Sequence, residues 1–217
     1  MKNKILKIQI AIDSPAAAGA GTQAKMLARH YNLLYLDTGK IYRFIGYLKT
    51  QKSNFNYKIL KEKVKNLKIS NLNSKKLLSD KIATEASVIA KNKKIRKIVH
   101  NFQLKCANDP PKKFNGSILD GRDITSVIMK DAKFKFFITA NVKVRALRRY
   151  KELKSLKKNI SFDEVLKSIK KRDKSDYNRK ISPLKKTKDS VLINTTNLSK
   201  RACFLKIKKI IDRKLNI

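Results

Sequence analysis

Short apolar runs rich in β-branched residues alternate with longer helical stretches along this chain, and this alternation limits the folds open to it. Strands are predicted at Ile5–Ile12, Leu33–Leu36, Ser117–Leu119, Phe134–Thr139 and Val191–Ile193. Continuous apolar runs of this kind are typical of parallel strands that are covered on both faces. Strands separated by helices build a doubly wound α/β sheet, in which ligands bind beyond the carboxyl ends of the strands.

Helical spacing covers most of the sequence between these strands. Helices are predicted at Gly21–Tyr31, at Gly39–Lys49, at Lys58–Leu67 and at residues 94–107. Two more helices are expected to begin at serine caps. Ser161 and Glu164 form a capping box, and Ser199 precedes the last helix.

The stretch between about residues 50 and 90 breaks the alternation. It is rich in Lys and Asn, with a turn expected at Asn71–Ser74 and a short strand at Leu77–Leu78. We interpret this stretch as an insertion into a single domain of residues 1–217, because the chain has the length of one domain.

Composition adds a strong positive charge. The chain has 54 Lys and Arg against 16 Asp and Glu, a formal net charge of +38. Such a charge suggests a phosphate-rich partner, but the lysines lie along the whole chain and fit a solvated surface better than a binding stripe. No specific nucleic-acid partner is therefore predicted. The arginines are more informative, because only their planar fork binds phosphate through two parallel hydrogen bonds.

Membrane and disulfide-rich classes fit the sequence poorly. No apolar run approaches the ~20 residues of a membrane span, and the N-terminal segment lacks a signal-peptide core, so we expect a cytoplasmic protein without a membrane partner. Cys106 and Cys203 are too few and too far apart for a disulfide framework or a metal cluster. Both are expected to be buried thiols.

A loop of small residues joins the first strand to the first helix, and reads IDSPAAAGAGT from Ile12 to Thr22. A strand, such a loop and a helix N-terminus form a phosphate cradle, in which backbone N–H groups bind the anion and a Thr22 hydroxyl binds Mg²⁺. The loop departs from the pattern G-x-x-x-x-G-K-[ST], because Ser14 and Ala20 replace the first glycine and the lysine, and Gly21 is additional. From the pattern alone, a phosphate loop and a plain strand-to-helix turn are equally open.

Three further segments carry charged and polar side chains near the ends of predicted strands or on a helix. They are LDTGKIYR at 36–43, LDGRD at 119–123 and RDKSDYNR at 172–179. In the last segment, i, i+4, i+7 spacing places Arg172, Asp176 and Arg179 on one helical face. Each segment alone could be a turn, a surface ion pair or a solvated helix face. Together they favour a phosphate site.

These segments resemble the cytidylate kinase family along nearly the whole chain. That family carries IDGPAGSGKGT, LDTGAMYR, DGRD followed by I-G-T, an R-x-x-R-R helix, and R-D-x-x-D-x-N-R followed by P-L. The matching segments here are IDSPAAAGAGT, LDTGKIYR, DGRDITS, Arg145-x-x-Arg148-Arg149, RDKSDYNR and Ser182-Pro183-Leu184. The resemblance implies a P-loop NTPase-like three-layer α/β sandwich, with a central parallel sheet and helices on both faces. It also implies a small inserted CMP-side domain at 50–90 and a lid segment at 160–186.

The activity implied by the resemblance is transfer of the γ-phosphoryl group of ATP to CMP or dCMP, by a monomer that uses Mg²⁺ with ATP. The implied ATP site is Ser14, Pro15, Ala16, Ala17, Ala18, Gly19, Ala20, Gly21, Thr22 and Arg148, with Thr22 as the metal ligand. The implied CMP site is Thr38, Arg43, Arg96, Asp120, Arg122, Asp123, Arg172 and Asp176. The implied catalytic residues are Arg122, Arg149, Arg172 and Arg179.

The lysine that the family has in this loop is absent, because Ala20 stands at its position. Loss of one preorganised charge contact in a catalytic site costs about 10²–10³-fold in rate. We hypothesise that Lys40 or Lys25 supplies the charge; the alternative is that both are ordinary surface lysines. Two other interpretations stay open. One is a catalytically impaired kinase-fold protein that binds nucleotide or RNA, and the other is a kinase for UMP, AMP or a coenzyme precursor.

Overall fold

A five-stranded parallel sheet with helices on both faces forms the centre of the computed structural model, which describes residues 7–51, 56–156 and 159–217. The strands are β1 (Ile8–Asp13), β2 (Leu34–Asp37), β3 (Gly116–Gly121), β4 (Phe134–Thr139) and β5 (Val191–Asn194). Their order in the sheet is β2-β3-β1-β4-β5, and every neighbouring pair is parallel. The expected doubly wound α/β fold is thus confirmed.

Eight α-helices occupy the described part of the chain. They are α1 (Ala20–Tyr31), α2 (Thr38–Gln51), α3 (Tyr57–Lys65), α4 (Asp80–Ile89), α5 (Lys93–Asn108), α6 (Val142–Ser155), α7 (Phe162–Asn178) and α8 (Lys200–Leu215). Short 3₁₀ segments lie at Ile69–Asn73 and Lys75–Leu78, and a π-helical turn lies at Ile124–Ile128. Across these ranges, no helix combines the length and the apolar composition that crossing a membrane requires.

Hydrophobic clusters cover both faces of the sheet. Ala11 and Leu119 belong to one cluster, together with residues of α2, α3 and α5. Ile10, Ile12 and Ile118 belong to the other, together with residues of α1 and α8. Successive side chains of a strand point to opposite faces, so β1 and β3 need apolar residues at consecutive positions. This requirement explains why these strands could be predicted from continuous apolar runs.

The register of the sheet brings the ends of three strands together. Asp13 at the end of β1 pairs with Gly121 of β3, and Asp37 at the end of β2 pairs with Asp120 of β3. The loop after β1, the start of α2 and the segment after β3 therefore meet at one edge of the sheet.

Both predicted serine caps are confirmed. The Glu164 N–H donates to Ser161 Oγ at 3.2 Å and the Ser161 N–H donates to Glu164 Oε2 at 2.8 Å, which completes the capping box of α7. The Ala202 N–H donates to Ser199 Oγ at 3.1 Å at the start of α8. Cys106 and Cys203 are both buried free thiols, as expected.

The insertion was predicted less well. The strand at Leu77–Leu78 is wrong, because these residues end the 3₁₀ segment Lys75–Leu78. The Leu77 side chain is buried, while its carbonyl accepts a hydrogen bond from Arg43 Nη1 at 2.9 Å rather than from a neighbouring strand. Residues 5 and 6 of the first predicted strand lie outside the described residues.

The helix predicted to carry Arg172, Asp176 and Arg179 on one face ends before the last of them. Arg172 and Asp176 lie on α7, but this helix ends at Asn178 and Arg179 has extended backbone angles (φ −67°, ψ 137°). The Arg179 side chain still reaches the same part of the molecule, because its Nη2 lies 3.8 Å from Asp123 Oδ1.

Candidate active site

The loop between β1 and α1 turns sharply at two residues. Ala17 has φ +59° and Gly19 has φ +94°, both in the left-handed region. Gly19 has no Cβ and adopts this conformation without strain. The Gly19 carbonyl accepts the Gln23 N–H at 3.1 Å and so starts α1 directly at the end of the loop. The sequence predicted this strand, loop and helix in the order in which they occur.

Two side chains hold carbonyl groups of the loop. Arg145 Nη1 donates to the Ala16 carbonyl at 3.0 Å, and Thr195 Oγ1 donates to the Ala18 carbonyl at 3.0 Å. In a trans peptide the carbonyl and the following N–H point in opposite directions. The N–H groups of Ala17 and Gly19 therefore point away from Arg145 and Thr195. Such N–H groups, next to a helix N-terminus, form an anion site.

A cavity of about 410 Å³ lies beyond the carboxyl ends of β1, β2 and β3, between the loop, α2, α4 and α7. We call it the cleft. Its cationic lining residues are Lys25, Arg43, Arg96, Arg122, Arg172 and Arg179, and its acidic lining residues are Asp37, Asp120, Asp123, Glu152 and Asp176. The volume lies within the range of small-molecule sites, about 300–1,000 Å³. This lining suits a ligand with both anionic and polar groups.

Two ion pairs fix arginines in the cleft. Arg96 Nη2 is paired with Asp123 Oδ2, and both side chains are buried. Arg122 Nε donates to Asp176 Oδ2 at 2.7 Å, which joins the segment after β3 to α7. A guanidinium has five N–H donors, so each arginine keeps donors for a ligand after these bonds are made.

Three buried polar atoms around the cleft have no hydrogen-bond partner among the described residues. They are Arg172 Nε, Arg179 Nη2 and the Tyr42 hydroxyl. Burial and the neighbouring Arg122 lower the pKa of the Arg172 guanidinium to about 10. A buried donor left unpaired costs about 1–3 kcal/mol, so this cluster favours an anionic ligand that accepts from it.

Acidic groups crowd the N-terminal end of α1. Burial and then the charge of Asp37 raise the pKa of the Asp120 carboxyl well above its ordinary value, although Tyr35 donates to Asp120 Oδ1 at 3.2 Å.

The backbone at the end of β3 is tightly packed, since a Cβ on Gly121 would lie 2.4 Å from Thr38 Oγ1. The glycine of the DGRD segment is required for this close approach.

Most of the site residues expected from the sequence line the cleft. The structure brings together Ser14, Pro15, Ala17, Ala18, Gly19, Ala20, Gly21, Thr22, Lys25, Thr38, Arg43, Arg96, Asp120, Arg122, Asp123, Arg172, Asp176 and Arg179.

Four expected residues have other surroundings. Ala16 is buried, with its carbonyl bonded to Arg145. The remaining three are cations that contact other protein groups. Arg148 Nη2 donates to the Thr195 carbonyl at 2.7 Å, and Arg149 Nη1 pairs with Glu152 Oε2 at 2.9 Å. Lys40 Nζ donates to Asn73 Oδ1 at 3.2 Å.

Tyr35, Tyr42 and Glu152 line the cleft without having been predicted. Tyr42 follows Thr38 by four residues, so helical spacing could have placed both on one face of α2. Tyr35 precedes Asp37 by two residues, so strand alternation could have placed both on one face of β2. Glu152 lies in a helix with many charged residues, and its sequence carries no comparable signal.

A parallel α/β sheet, an anion-binding loop between β1 and α1 and an arginine-lined cleft beside it define a nucleotide-binding phosphotransferase of the P-loop class. The family model "Cytidylate kinase" matches residues 10–213. The chain belongs to the cytidylate kinase family, and it is an ATP-dependent phosphotransferase.

Relatives from distant bacteria support this assignment. A cytidylate kinase of Clostridium botulinum (strain Loch Maree / Type A3) is 40% identical over 222 residues, which cover 96% of this chain and 100% of the relative. One from Thermosipho melanesiensis is 38% identical, covering 96% of this chain and 99% of the relative. One from Bartonella tribocorum is 41% identical, covering 90% of each.

A solved structure supports the fold independently. The crystal structure of an uncharacterized protein from Eubacterium ventriosum ATCC 27560 matches with a TM-score of 0.52 and 17% identity, covering 97% of this chain and 99% of that chain. At this identity the likeness concerns the fold alone.

Proposed function

We propose that this protein transfers the γ-phosphoryl group of ATP to CMP or dCMP, giving ADP and CDP or dCDP. The observation that carries the proposal is that the buried Arg172 Nε and Arg179 Nη2 atoms donate no hydrogen bond to the described residues, in a cleft that also contains the anion-binding loop. A phosphate donor on the loop and a phosphate acceptor on the arginines would face each other across this space.

The loop is the proposed ATP side of the cleft. The N–H groups of Ala17 and Gly19 would bind phosphate oxygens, and the N-terminus of α1 adds the positive end of its dipole. The bonds from Arg145 and Thr195 to the loop carbonyls keep this arrangement fixed before ATP binds. Fixed dipoles of this kind stabilise charge without reorganising during the reaction.

Oxygen ligands near the loop fit Mg²⁺. Thr22, Asp37 and Asp120 all line the cleft, and the repulsion between the two carboxylates would be relieved by a divalent cation. When bound with ATP, Mg²⁺ neutralises negative charge on the phosphate oxygens. The Thr22 hydroxyl and the two carboxylates, directly or through water, would hold the ion at this edge of the sheet.

The opposite wall is the proposed CMP side. Arg96 donates and Asp123 accepts, and this pair matches a cytosine ring, which has acceptor atoms next to its amino group. A uracil ring has a carbonyl where cytosine has the amino group, so it would place an oxygen against the Asp123 carboxylate. Asp176 can accept from a ribose hydroxyl, while Arg43 and Arg172 would bind the monophosphate.

In the transfer step, a phosphate oxygen of CMP attacks the γ-phosphorus of ATP. The bond from the γ-phosphorus to its bridging oxygen breaks, and the electron pair of that bond leaves with ADP. Arg122, Arg172 and Arg179 would neutralise the charge that spreads over the transferred group, and Arg149 lies next to this cluster. The segment 160–186, which contains α7, would act as a lid that excludes water.

The test uses the purified full chain with ATP and Mg²⁺ and a panel of CMP, dCMP, UMP and AMP, with products separated by chromatography. We expect ADP and CDP or dCDP to form together, with UMP and AMP as slower acceptors. Arg172→Met is expected to lower kcat/KM by about 10²-fold or more, whereas Arg213→Met, an exposed residue on α8, serves as the charge-matched control. Absence of CDP and dCDP at any protein concentration would overturn the proposal. Faster turnover of UMP or AMP than of CMP would reject the cytidine specificity.

A further inference from the structure

The loop lacks a cation at the position where P-loops have one. In the general pattern, a lysine that follows the last glycine reaches the β and γ phosphates. Ala20 follows Gly19 here, and its side chain is 4% exposed, so nothing at this position can bind an anion through a charge. If the reaction proposed above occurs, another group has to supply that charge.

Lys25 lies on α1, five residues after Ala20, and lines the cleft beside Gly21 and Thr22. Side chains of an α-helix tilt toward its N-terminus, so the four-carbon stem of Lys25 runs back over the first turn of α1. The distance from Ala20 to Lys25 along the helix axis is about 7.5 Å. Much of that distance can be spanned by an extended lysine stem.

The charge of Lys25 already acts on the acidic end of the cleft. Its ammonium lowers the pKa of the Asp120 carboxyl, in opposition to the larger effects of burial and Asp37 that raise it. Asp120 Oδ2 lies 3.4 Å from the point where a Cβ on Gly21 would sit, so this carboxylate is next to the start of α1. Lys25 is thus a solvent-exposed cation at the mouth of the cleft, and its charge acts on a carboxylate beside the loop.

The other cations near the cleft have different surroundings. Lys40 Nζ donates to Asn73 Oδ1 at 3.2 Å, and Lys40 does not line the cleft. Arg96 and Arg122 are paired with carboxylates on the CMP side. In contrast, no hydrogen bond or ion pair holds the Lys25 ammonium within residues 7–51, 56–156 and 159–217.

We propose that Lys25 supplies the phosphate-binding cation that Ala20 lacks. In this role, which rests on the function proposed above, its ammonium binds the β and γ phosphate oxygens of ATP. It also neutralises the negative charge that builds up on ADP as the bridging bond breaks. The cation has thus moved by about one and a half helical turns along α1, while the target phosphates are the same.

A double-mutant cycle at positions 20 and 25 tests this relocation. Lys25→Met is expected to lower kcat by about 10²–10³-fold. Restoring the lysine at the loop, in Ala20→Lys/Lys25→Met, should recover most of that loss, and Ala20→Lys alone is the fourth member of the cycle. Arg29→Met is the matched control, because Arg29 lies exposed on α1 one turn further and outside the cleft. Circular dichroism and thermal unfolding of each variant verify that α1 remains folded.

Three outcomes would overturn the relocation of the cation. The first is that Lys25→Met has the same kcat as Arg29→Met. The second is that kcat falls in Lys25→Met and is not recovered in Ala20→Lys/Lys25→Met. The third is that kcat falls by about 10²–10³-fold in Lys40→Met but not in Lys25→Met. Titration of the same variants with a fluorescent ATP analogue separates this inference from the proposed function. If the unmodified chain phosphorylates no monophosphate, the proposed function fails. In that case, the Kd values of the four variants for the fluorescent ATP analogue decide whether Lys25 binds the phosphates.

Discussion

Arg145 Nη2 donates to Asp173 Oδ2 at 2.6 Å, while Arg145 Nη1 donates to the Ala16 carbonyl at 3.0 Å. One buried guanidinium on α6 thus connects the phosphate-binding loop to α7, the helix of the proposed lid. Its Nε is also bonded, to the Ala140 carbonyl at 2.9 Å. Arg145 is buried and does not line the cleft, so we infer that it positions the loop and α7 without contacting a ligand.

Arg145→Met is expected to lower the free energy of unfolding by about 1–3 kcal/mol, because it leaves the partly buried Asp173 carboxylate without its partner. It should also raise the KM for ATP, because the Ala16 carbonyl loses its donor. Urea unfolding and initial rates measure the two effects. In the matched control Arg145→Met/Asp173→Leu, stability should recover while the KM for ATP stays high. Recovery of both together would mean that Arg145 has a purely structural role.

Asp37→Asn should change the pH dependence of the reaction. The charge of Asp37, after burial, raises the pKa of Asp120. Removing that charge lowers the pKa of Asp120, so the acid limb of the kcat/KM profile should move to lower pH. The Mg²⁺ concentration needed for half-maximal rate should increase, by about 10-fold. Asp189→Asn, at an exposed carboxylate paired with Lys135, is the control. An acid limb that stays in place would show that Asp120 does not titrate in the reaction.

The sheet could be predicted because its strands are covered on both faces. Phe134–Thr139 was predicted with the bounds that β4 has, and the other strands were placed within a few residues. The insertion was harder, because some of its buried side chains lie on short segments that follow neither a helical nor a strand period. Leu72 and Leu77 are each nearly fully buried on separate short 3₁₀ segments. Helix α4 was not predicted, although Ser79 caps its N-terminus and its buried residues Ile82, Ala86 and Ile89 have i, i+4, i+7 spacing.

Residues of all four motifs line one cleft, but the motifs did not show where each arginine points. Arg145, Arg148 and Arg149 lie within one helical turn and a half of α6, and their side chains reach three different partners. Sequence spacing gives the direction of a side chain around its own helix. It does not show which partner groups the neighbouring elements bring to that side of the helix. The direction of Lys25 was open in the same way, because it depends on how α1 sits against β2 and β3.

Ala17→Gly is expected to stabilise the protein. Ala17 has φ +59°, a conformation that costs a residue with a Cβ about 1–2 kcal/mol. Glycine removes that strain but loses about 0.5–1 kcal/mol through its greater freedom in the unfolded chain, which leaves a gain of about 0–1.5 kcal/mol. Ala18→Gly is the matched control, since Ala18 is buried and outside the left-handed region. It should destabilise by about 1–2 kcal/mol. Urea unfolding of both variants measures the difference, and equal effects would contradict the strain at Ala17.

Asp13 gives the folded protein a specific dependence on pH. Its carboxylate is fully buried and accepts hydrogen bonds from Ile124 N at 2.7 Å, Thr125 N at 2.8 Å and Thr125 Oγ1 at 2.6 Å. Burial outweighs these bonds and raises the pKa of Asp13 from 3.8 to about 6. The folded state therefore binds this proton more tightly than the unfolded state does. Its stabilising effect is fully present below pH 4 and is lost as the pH rises through 6.

The free energy of unfolding should accordingly contain a contribution of about 2–3 kcal/mol that disappears between pH 4 and pH 6. Asp13→Asn cannot titrate, so its free energy of unfolding should lack this loss, and its value at pH 7 minus its value at pH 4.5 should be more positive than in the unmodified chain. Asp131→Asn, at an exposed residue, should keep the pH dependence of the unmodified chain. The comparison uses the difference between pH 4.5 and pH 7 for each variant, because other carboxylates titrate equally in all three. If Asp13→Asn and the unmodified chain show the same difference, Asp13 is ionised in the folded protein throughout this range, and its three hydrogen bonds outweigh its burial.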